Sequence, residues 1–358
     1  MSNQVLDLYS DYLICSFGQA TATGLGQVVE GSISHDQVTR ALSSAKRSGA
    51  DLWRIVKPWV RKMQADAGVM IVDDTIAEKP YSDENDIVCW HYDHTSGKTI
   101  KGIGLMTTLY HVPSSDMSLP VEFQVIDKTE SFVDAKTGKT KRRSQVGKNE
   151  RYRQMLRQAQ INRIPFLYVL NDVWFASAEN MNFVKHDLGK EFVMPLKTNR
   201  KVALSAADKR QGIYVRVDEV RIEPNAVRPV YLEGVSFPLL LARQVFENKD
   251  GSTGVLYLVS SDTTLTYDGI TSLYQRRWTI EPFHKSLKQN AALERSPAHT
   301  VTTQTNHIFA SLCAFIKLEK LKVTTQCNHF ELHARLYLRA VQSAFDELRL
   351  LRPVSLAA

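Results

Sequence analysis

Apolar residues recur at helical spacing near the start of the chain. Leu6, Tyr9 and Leu13 lie three or four positions apart, which places them on one face of a helix. Ser34-His35-Asp36-Gln37 has the pattern of a capping box and predicts the start of another helix. We therefore predict that residues 1–67 are helical, as either a helix-turn-helix or an ordinary small bundle.

After residue 67 the pattern changes to short apolar runs bounded by polar residues, which is typical of buried strands. The predicted strands lie near residues 69–72, 88–92, 103–110, 121–126, 166–171 and 192–196, and the predicted helices near 148–162 and 175–187. A block of strands followed by alternating helix and strand favours a mixed sheet with helices on its faces.

Residues 198–263 interrupt this alternation, because their apolar runs favour strands alone. The runs lie at residues 214–217, 230–232, 238–241 and 256–259, with turns predicted at Pro224-Asn225 and Asp250-Gly251. We predict an all-β insertion here. From about Tyr267 onwards the chain is predicted to be helical again.

Two of the predicted strands end in aspartate. The run at residues 69–72 ends in Asp73-Asp74, and the run at 166–170 ends in Asn171-Asp172. An aspartate at a strand end is often only a turn or cap residue. Two of them followed by a helical glutamate, Glu281, have the composition of a two-metal phosphoryl-transfer site, because hard divalent cations take oxygen ligands.

A polar stripe accompanies Glu281. Tyr274, Arg277, Glu281 and Lys288 lie at offsets of 0, 3, 7 and 14. At about 100° per residue on a continuous helix, the four point within roughly 60° of one another. A solvated charged face is the ordinary explanation. A phenol, two cations and one carboxylate also suit an anionic substrate and a metal ion.

These blocks resemble the signature blocks of bacterial insertion-sequence DDE transposases. The resemblance rests on Ile71-Val72-Asp73-Asp74-Thr75, on Val169-Leu170-Asn171-Asp172 and on the segment from Tyr274 to Lys285. It covers roughly residues 68–290 and is greatest to insertion-sequence family four, which the Tyr-Arg-Glu-Lys spacing marks.

The resemblance implies an RNase H-like catalytic core and cut-and-paste DNA transposition. It also implies two Mg²⁺ or Mn²⁺ ions held by Asp73, Asp172 and Glu281. Asp74 is the adjacent alternative to Asp73. Asp73 is preferred because the family pattern places a Thr or Ser two residues after the catalytic aspartate, where Thr75 stands.

Basic residues are concentrated in one segment. The formal net charge is +7, and residues 139–163 carry nine basic residues against Glu150 alone, so this segment accounts for the whole excess. A solvated basic face and a track for DNA phosphates both remain open. Trp278 is either a core residue or a platform for an unpaired base. The predicted DNA-binding residues are Tyr274, Arg277, Trp278, Lys288, Lys139, Lys141, Arg142, Arg143 and Lys148.

The predicted fold class is α/β, with an RNase H-like catalytic core, an all-β insertion and flanking helical N- and C-terminal regions. The predicted domains are a helical and candidate DNA-binding region at 1–67, the first part of the core at 68–197, the insertion at 198–263, the Glu-bearing helix of the core at 264–300 and a helical region at 301–358.

The predicted function is metal-dependent DNA cleavage and strand transfer. One alternative is an RNase H-like nuclease that cuts without joining, and another is a non-catalytic DNA-binding protein derived from a transposase. The expected partners are double-stranded DNA, as terminal inverted repeats and target, and a second copy of the chain in the DNA complex.

The predicted location is the cytoplasm. No apolar run approaches the ~18–20 residues of a membrane span. The first residues carry Asp7 and Asp11 and no basic region, so no signal peptide is expected. Four scattered cysteines do not form a disulfide framework and suit a reducing compartment.

Overall fold

A computed structural model describes residues 3–63, 68–93, 97–135, 137–247 and 250–351. The ends of the predicted helical regions, at residues 1–2, 64–67 and 352–358, lie outside these ranges. The strands are β1 (Gly68–Glu78), β2 (Val88–Asp93), β3 (Lys98–Val112), β4 (Met117–Val125), β5 (Glu130–Val133), β6 (Thr140–Arg143), β7 (Phe166–Asn171), β8 (Glu191–Leu196), β9 (Lys201–Ala203), β10 (Val215–Arg216), β11 (Val227–Leu232), β12 (Leu239–Glu247) and β13 (Thr253–Ser260).

The α-helices are α1 (Asn3–Cys15), α2 (Ala22–Val28), α3 (His35–Ser43), α4 (Gly49–Lys62), α5 (Lys148–Ile161), α6 (Ala178–Asn182), α7 (Ala206–Gln211), α8 (Tyr267–Gln275), α9 (Ile280–Asn290), α10 (Val301–Thr325) and α11 (His329–Leu351). The chain divides into two compact units. The helical unit comprises Met1–Ser48, Ala77–Ile103 and Phe283–Ala358, and the sheet unit comprises Gly49–Ile76 and Gly104–Pro282.

The sheet unit is built on a mixed sheet. Its strands run in the order β10-β9-β11-β12-β13-β8-β7-β1-β3, with β4 paired to β3. The central strands β1, β7 and β8 are parallel neighbours, and β8 pairs with β13 in the antiparallel sense. Parallel strands at the centre of a sheet are usually covered by helices, which favours continuous apolar runs over alternating ones; β7 departs from full coverage at Leu167, which is 44% exposed. The predicted α/β class is therefore confirmed.

The predicted all-β insertion extends this sheet and is not purely β. Strands β11, β12 and β13 continue the sheet outward from β8. The prediction is wrong at residues 206–211, which form α7. Ser205 accepts a hydrogen bond from the Asp208 amide at the start of that helix, and Gly212 ends it with a φ of 70°. A short capped helix of this kind leaves no apolar periodicity in the sequence.

The helical unit packs α1 against α3 and α10. The capping box is confirmed: the Gln37 amide donates to Ser34 Oγ (3.3 Å), and the Ser34 amide donates to Gln37 Oε1 (2.8 Å). Asn306 of α10 donates to the carbonyl of Leu42 (2.8 Å) and accepts from the Arg47 amide (2.8 Å). A buried side chain of α10 thus satisfies backbone groups at the end of α3.

The segment from Tyr274 to Lys288 is not one continuous helix. Helix α8 ends at Gln275, residues Arg276–Thr279 form a 3₁₀ turn, and α9 begins at Ile280. Pro282 has no amide hydrogen to donate to the carbonyl of Trp278, which favours a break at this point. The stripe angles predicted for an unbroken helix are therefore wrong across the turn.

Candidate active site

Asp73 and Asp172 lie at the same level on two neighbouring parallel strands. The register pairs Val72 of β1 with Asn171 of β7, and each aspartate is the next residue along its chain. Neighbouring strands are about 4.8 Å apart. Asp172 follows the end of β7, as predicted. The prediction that Asp73 ends its strand is wrong, because β1 has a second neighbour, β3, and continues to Glu78.

The two aspartates are electrostatically coupled. The Asp73 side chain is largely buried, at 19% exposure. Burial, and then the charge of Asp172, raise the pKa of Asp73 to about 7. Burial also raises the pKa of Asp172, while Arg277 opposes both shifts. A pair of carboxylates that resists full ionisation favours the approach of a cation.

Arg277 links the first and third predicted carboxylates. Its Nη1 lies 3.9 Å from Asp73 Oδ2, and its Nη2 lies 3.3 Å from Glu281 Oε1. The side chain is only 11% exposed, and the guanidinium lies over the rings of Tyr274 (5.7 Å) and Trp278 (4.8 Å). The broken helix therefore still brings Tyr274, Arg277, Trp278 and Glu281 into one cluster.

Asp74 makes different contacts from Asp73. Successive side chains of a strand point to opposite faces. Asp74 Oδ2 lies 2.8 Å from Lys148 Nζ, at the start of α5. Asp74 is also close enough to Asp172 to raise its pKa. Of the two adjacent aspartates, Asp73 is the one that shares Arg277 with Glu281.

A hydrogen-bond network fixes the backbone around Asp172. Asn171 is fully buried, accepts from the Tyr152 hydroxyl (2.9 Å) and donates to the carbonyl of Asp172 (2.7 Å). The Trp174 amide donates to Asp172 Oδ1 (2.9 Å). Tyr152 and Asn171 are not recognisable as supporting residues from the sequence, because both have the appearance of ordinary core or strand-end positions.

The remaining residues of the signature differ in their surroundings. Tyr274 is buried, and burial raises its pKa to about 12, so it is a neutral donor near neutral pH. Trp278 is 51% exposed, which excludes the alternative of a core tryptophan. Lys288 lies in the helical unit, where its Nζ is 3.0 Å from Glu294 Oε1.

The basic segment contains an exposed hairpin. Its first part is a pair of strands, β5 and β6, which form a separate two-stranded sheet that the sequence pattern does not predict. Lys139, Lys141 and Arg143 are exposed on this hairpin, and Arg142 is half-buried. Lys141 pairs with Asp134, and Arg143 Nε lies 3.0 Å from Glu130 Oε2.

The arginines in the second part of the segment differ in exposure. Arg151 is nearly buried and bonds to Gln124 and Asp127. Arg153 pairs with Glu179 at 3.0 Å and Arg157 lies over Phe183 at 5.1 Å. Arg151 and Arg153 stabilise the packing of α5, whereas Arg157 and Arg163 are exposed and add to the exposed charge of the hairpin and Lys148.

The carboxylates partly fit a metal ion. Across the described ranges, no three His, Cys, Asp or Glu side chains converge closely enough to hold one ion. Asp73 and Asp172 offer the hard oxygen donors that Mg²⁺ and Mn²⁺ prefer. Glu281 is instead paired with Arg277, so it completes the set only when that pair opens.

Two family models match the chain. One, described as DDE superfamily endonuclease, matches residues 3–213, and the other, described as transposase DDE domain, matches residues 129–316. Each match covers more than half of the chain. Asp73 and Asp172 lie within the first, and Asp172 and Glu281 within the second. The chain belongs to the DDE superfamily of endonucleases and transposases, and the prediction of an enzyme of this class is confirmed.

Similarity to individual known proteins is slight. No curated protein matches the chain. The solved structure of a Drosophila P element transposase strand transfer complex is similar over 51% of this chain, at 11% identity and a TM-score of 0.27. The match covers 36% of that protein's chain. None of the helices in the described ranges has both the length and the apolarity to span a bilayer.

Proposed function

We propose that this chain is a transposase that cleaves DNA at the ends of an insertion sequence and joins the freed ends to target DNA. The observation that carries the proposal is the parallel register that sets Asp73 beside Asp172, with Arg277 connecting Asp73 to Glu281. Within the DDE superfamily we assign the chain to insertion-sequence family four, on its Tyr-Arg-Glu-Lys spacing, and its sheet to an RNase H-like core.

DDE transposases generally use divalent metal ions. In this chain Asp73, Asp172 and Glu281 would hold two Mg²⁺ or Mn²⁺ ions. Bound ions of this kind supply a Lewis acid that activates the attacking oxygen and stabilises the leaving one. The raised pKa of Asp73 supports the assignment, because a carboxylate that is costly to ionise alone gains most from a nearby cation.

The other residues of the signature act on the DNA itself. In the absence of substrate, the positive charge of Arg277 offsets the charge of the carboxylates. Its planar guanidinium can bind a phosphate with two parallel hydrogen bonds once another cation offsets the carboxylates instead. Tyr274 keeps its proton and can donate to a phosphate oxygen. Trp278 offers an exposed ring on which an unpaired base can stack. Lys288 would bind phosphate in place of its present ion-pair partner, Glu294.

The exposed hairpin provides the main path for the DNA backbone. Lys139, Lys141, Arg142 and Arg143 lie on or beside β6, and Lys148 follows at the start of α5, where it contacts Asp74. Each phosphate that these cations neutralise releases counterions, which favours binding without sequence preference. The partners we propose are the terminal inverted repeats, target DNA and a second copy of the chain.

A nuclease that cuts but does not join is the second candidate. The matching family description, DDE superfamily endonuclease, names cleavage alone and favours this alternative specifically. A non-catalytic derivative is disfavoured, because all three carboxylates are present.

A strand-transfer assay separates the candidates. The substrate is a duplex that carries the DNA flanking the coding region and ends in a free 3′-hydroxyl. It is incubated with a supercoiled target plasmid in Mg²⁺ or Mn²⁺. A transposase gives joined products, whereas a nuclease gives hydrolysis products alone. Asp172→Asn protein, which keeps the shape and removes the charge, is the matched control and should give neither.

A further inference from the structure

Trp174 is an exposed tryptophan at the edge of the sheet that holds the carboxylates. It lies two residues after Asp172, and its amide donates to Asp172 Oδ1 (2.9 Å). Trp174 is 54% exposed, whereas the next residue, Phe175, is buried. Lys197 Nζ lies over the Trp174 ring, 5.1 Å from its centroid. An exposed aromatic ring beside a cation offers two of the contacts by which proteins bind a nucleotide.

The strand order places Trp174 and Lys197 on the side of β7 that faces away from β1. Strand β7 lies between β1 and β8, and all three are parallel. Lys197 follows the carboxyl end of β8, as Asp172 follows the carboxyl end of β7. The register pairs Leu170 with Val193, which sets Lys197 roughly 7 Å beyond the level of Asp172 at about 3.3 Å per residue. The carboxyl ends of parallel strands are where α/β sheets bind ligands.

The backbone around Trp174 is held in place by other side chains. Asn180 Nδ2 donates to the carbonyl of Phe175 (2.9 Å). Arg200 Nη1 donates to the carbonyl of Ala176 (3.0 Å), which joins this segment to the loop that follows β8. The tryptophan ring and the lysine over it are therefore not required to hold the two loops together.

The exposed ring fits an unpaired base better than a paired one. Within a duplex each base is stacked between its neighbours, whereas an unpaired base offers a π-face that an aromatic side chain can cover. A base stacked on Trp174 brings the phosphate of its own strand within reach of Lys197, which is exposed. Such a contact does not depend on the identity of the base, because every base has a π-face.

We propose that Trp174 and Lys197 bind one unpaired nucleotide of the DNA strand that lies at the carboxylates. Trp174 stacks on the base and Lys197 pairs with the phosphate, and the two contacts position the strand beside Asp172. This inference rests on the proposed function, because it takes the ligand at Asp73 and Asp172 to be DNA. It adds a second aromatic contact to that of Trp278, from a different element of the fold.

DNA binding in EDTA tests the site without cleavage or joining. Two duplexes carry the DNA that flanks the coding region, one fully paired and the other with two mismatched base pairs at its end. The native chain should bind the mismatched duplex about tenfold more tightly. Trp174→Ala should lose most of this preference and keep its affinity for the paired duplex. Trp174→Phe retains an aromatic ring and should retain most of the preference.

Trp90→Ala is the matched control. Trp90 is 52% exposed, and Lys101 Nζ lies 5.9 Å from its ring centroid, so this pair resembles Trp174 and Lys197 but belongs to the helical unit. The control variant should keep the full preference for mismatched DNA. Lys197→Met should lower the slope of log K against log salt for the mismatched duplex by up to roughly 0.9. Thermal unfolding verifies that all the variants are folded.

Photocross-linking identifies the residue that contacts the base. A 5-iodouracil at the mismatched position should link to the tryptic peptide of residues 164–185, which contains Trp174. Trp278 lies in a different tryptic peptide, residues 278–285.

Three results would each overturn the proposal: a preference that survives in Trp174→Ala, equal binding of both duplexes by the native chain, or a cross-link confined to the Trp278 peptide. Failure to bind either duplex would overturn the proposed function as well. Equal binding of the two duplexes, in contrast, leaves that function intact, because the strand-transfer assay tests it separately.

Discussion

Val72 of β1 is paired in parallel register with Asn171 of β7, and this pairing sets Asp73 beside Asp172. Both side chains are carboxylates and both are substantially buried, and the charge of Asp172 raises the cost of ionising Asp73. Arg277 lies 3.9 Å from Asp73 and offsets part of that cost. The site is therefore short of positive charge before any ion or substrate arrives.

Arg277→Ala should destabilise the metal-free protein by about 3 kcal/mol at pH 8, because it leaves buried carboxylates without a counter-charge. At pH 5 the loss should be smaller, since the pKa of Asp73, about 7, allows that carboxyl to take up a proton. Urea unfolding at the two pH values measures both numbers. Arg277→Lys keeps the charge and should lose less; equal losses at both pH values would show that Arg277 acts by packing alone.

Replacing Lys139, Lys141 and Arg143 together with Ala should weaken binding to all DNA sequences alike. These side chains are exposed, so stability should change by less than about 1 kcal/mol. The slope of log K against log salt should fall by up to roughly 0.9 for each phosphate that the variant no longer neutralises. An unchanged slope would identify the hairpin as a solvated face.

The hairpin also offers a control that should change the DNA affinity in the opposite direction. Glu130→Gln and Asp134→Asn remove the carboxylates that pair with Arg143 and Lys141. If the two cations bind phosphate, the double variant should bind DNA more tightly than the native chain, because the cations no longer have to leave a partner. Weaker binding by the double variant would show that the ion pairs themselves support the DNA-binding surface.

Lys288→Ala should reduce end cleavage by roughly tenfold to over a hundredfold, which corresponds to a charge-assisted contact of about 1.5–3 kcal/mol. Glu294→Gln removes the carboxylate charge beside Lys288, and also beside Lys79, and should keep most of the activity. Cleavage rate and melting temperature are measured on both proteins. If the two variants lose equal stability and keep normal cleavage, Lys288 is a structural ion-pair partner and not a phosphate ligand.

Glu122 should make stability depend on pH. It is buried in the sheet unit beside Gly49, where an added Cβ would lie 1.5 Å from Glu122 Oε1. Burial raises its pKa from 4.5 to about 7. The folded state therefore binds this proton more tightly than the unfolded state does. The resulting contribution to the free energy of unfolding is present at low pH and is lost as the pH rises through about 5 to 7.

Glu122→Gln should accordingly raise the free energy of unfolding at pH 8 by roughly 1–3 kcal/mol. At pH 4.5 and below the variant should gain little, because the native carboxyl is then protonated and neutral in the folded state. Denaturant melts at the two pH values measure the difference. A variant that is less stable than the native chain at pH 8 would show that the ionised carboxylate stabilises the fold.

The parallel core could be predicted because the sequences of its strands contain unbroken apolar runs. The end of β7 could be predicted for the same reason, since Asn171 and Asp172 interrupt such a run. The continuation of β1 beyond Asp73 could not, because its backbone pairing persists where the side chains turn polar. The pattern of apolar and polar residues reports which side chains are buried, and it does not report how far the backbone stays hydrogen-bonded to a neighbouring strand.

Two further features lie beyond local pattern. The hairpin of β5 and β6 is short and highly charged, so it lacks the alternation that marks a strand. The contact between Arg277 and Asp73 joins residues that are distant in sequence, and it depends on how the turn after α8 meets the sheet. The residue types were enough to predict the site, whereas the contacts between its charged side chains could be seen only in the folded structure.

DNA cleavage by four single variants tests whether Asp73, Asp172 and Glu281 are the catalytic carboxylates. Asp73→Asn, Asp172→Asn and Glu281→Gln each remove one carboxylate charge and keep its shape, and Asp74→Asn makes the same change at the adjacent position. On DNA carrying the element ends, in Mg²⁺ or Mn²⁺, the first three should cleave at about 1% of the native rate or less while still binding DNA. Asp74→Asn should keep most of the activity. Near-native cleavage by any of the first three, or its loss in Asp74→Asn alone, would contradict the assignment.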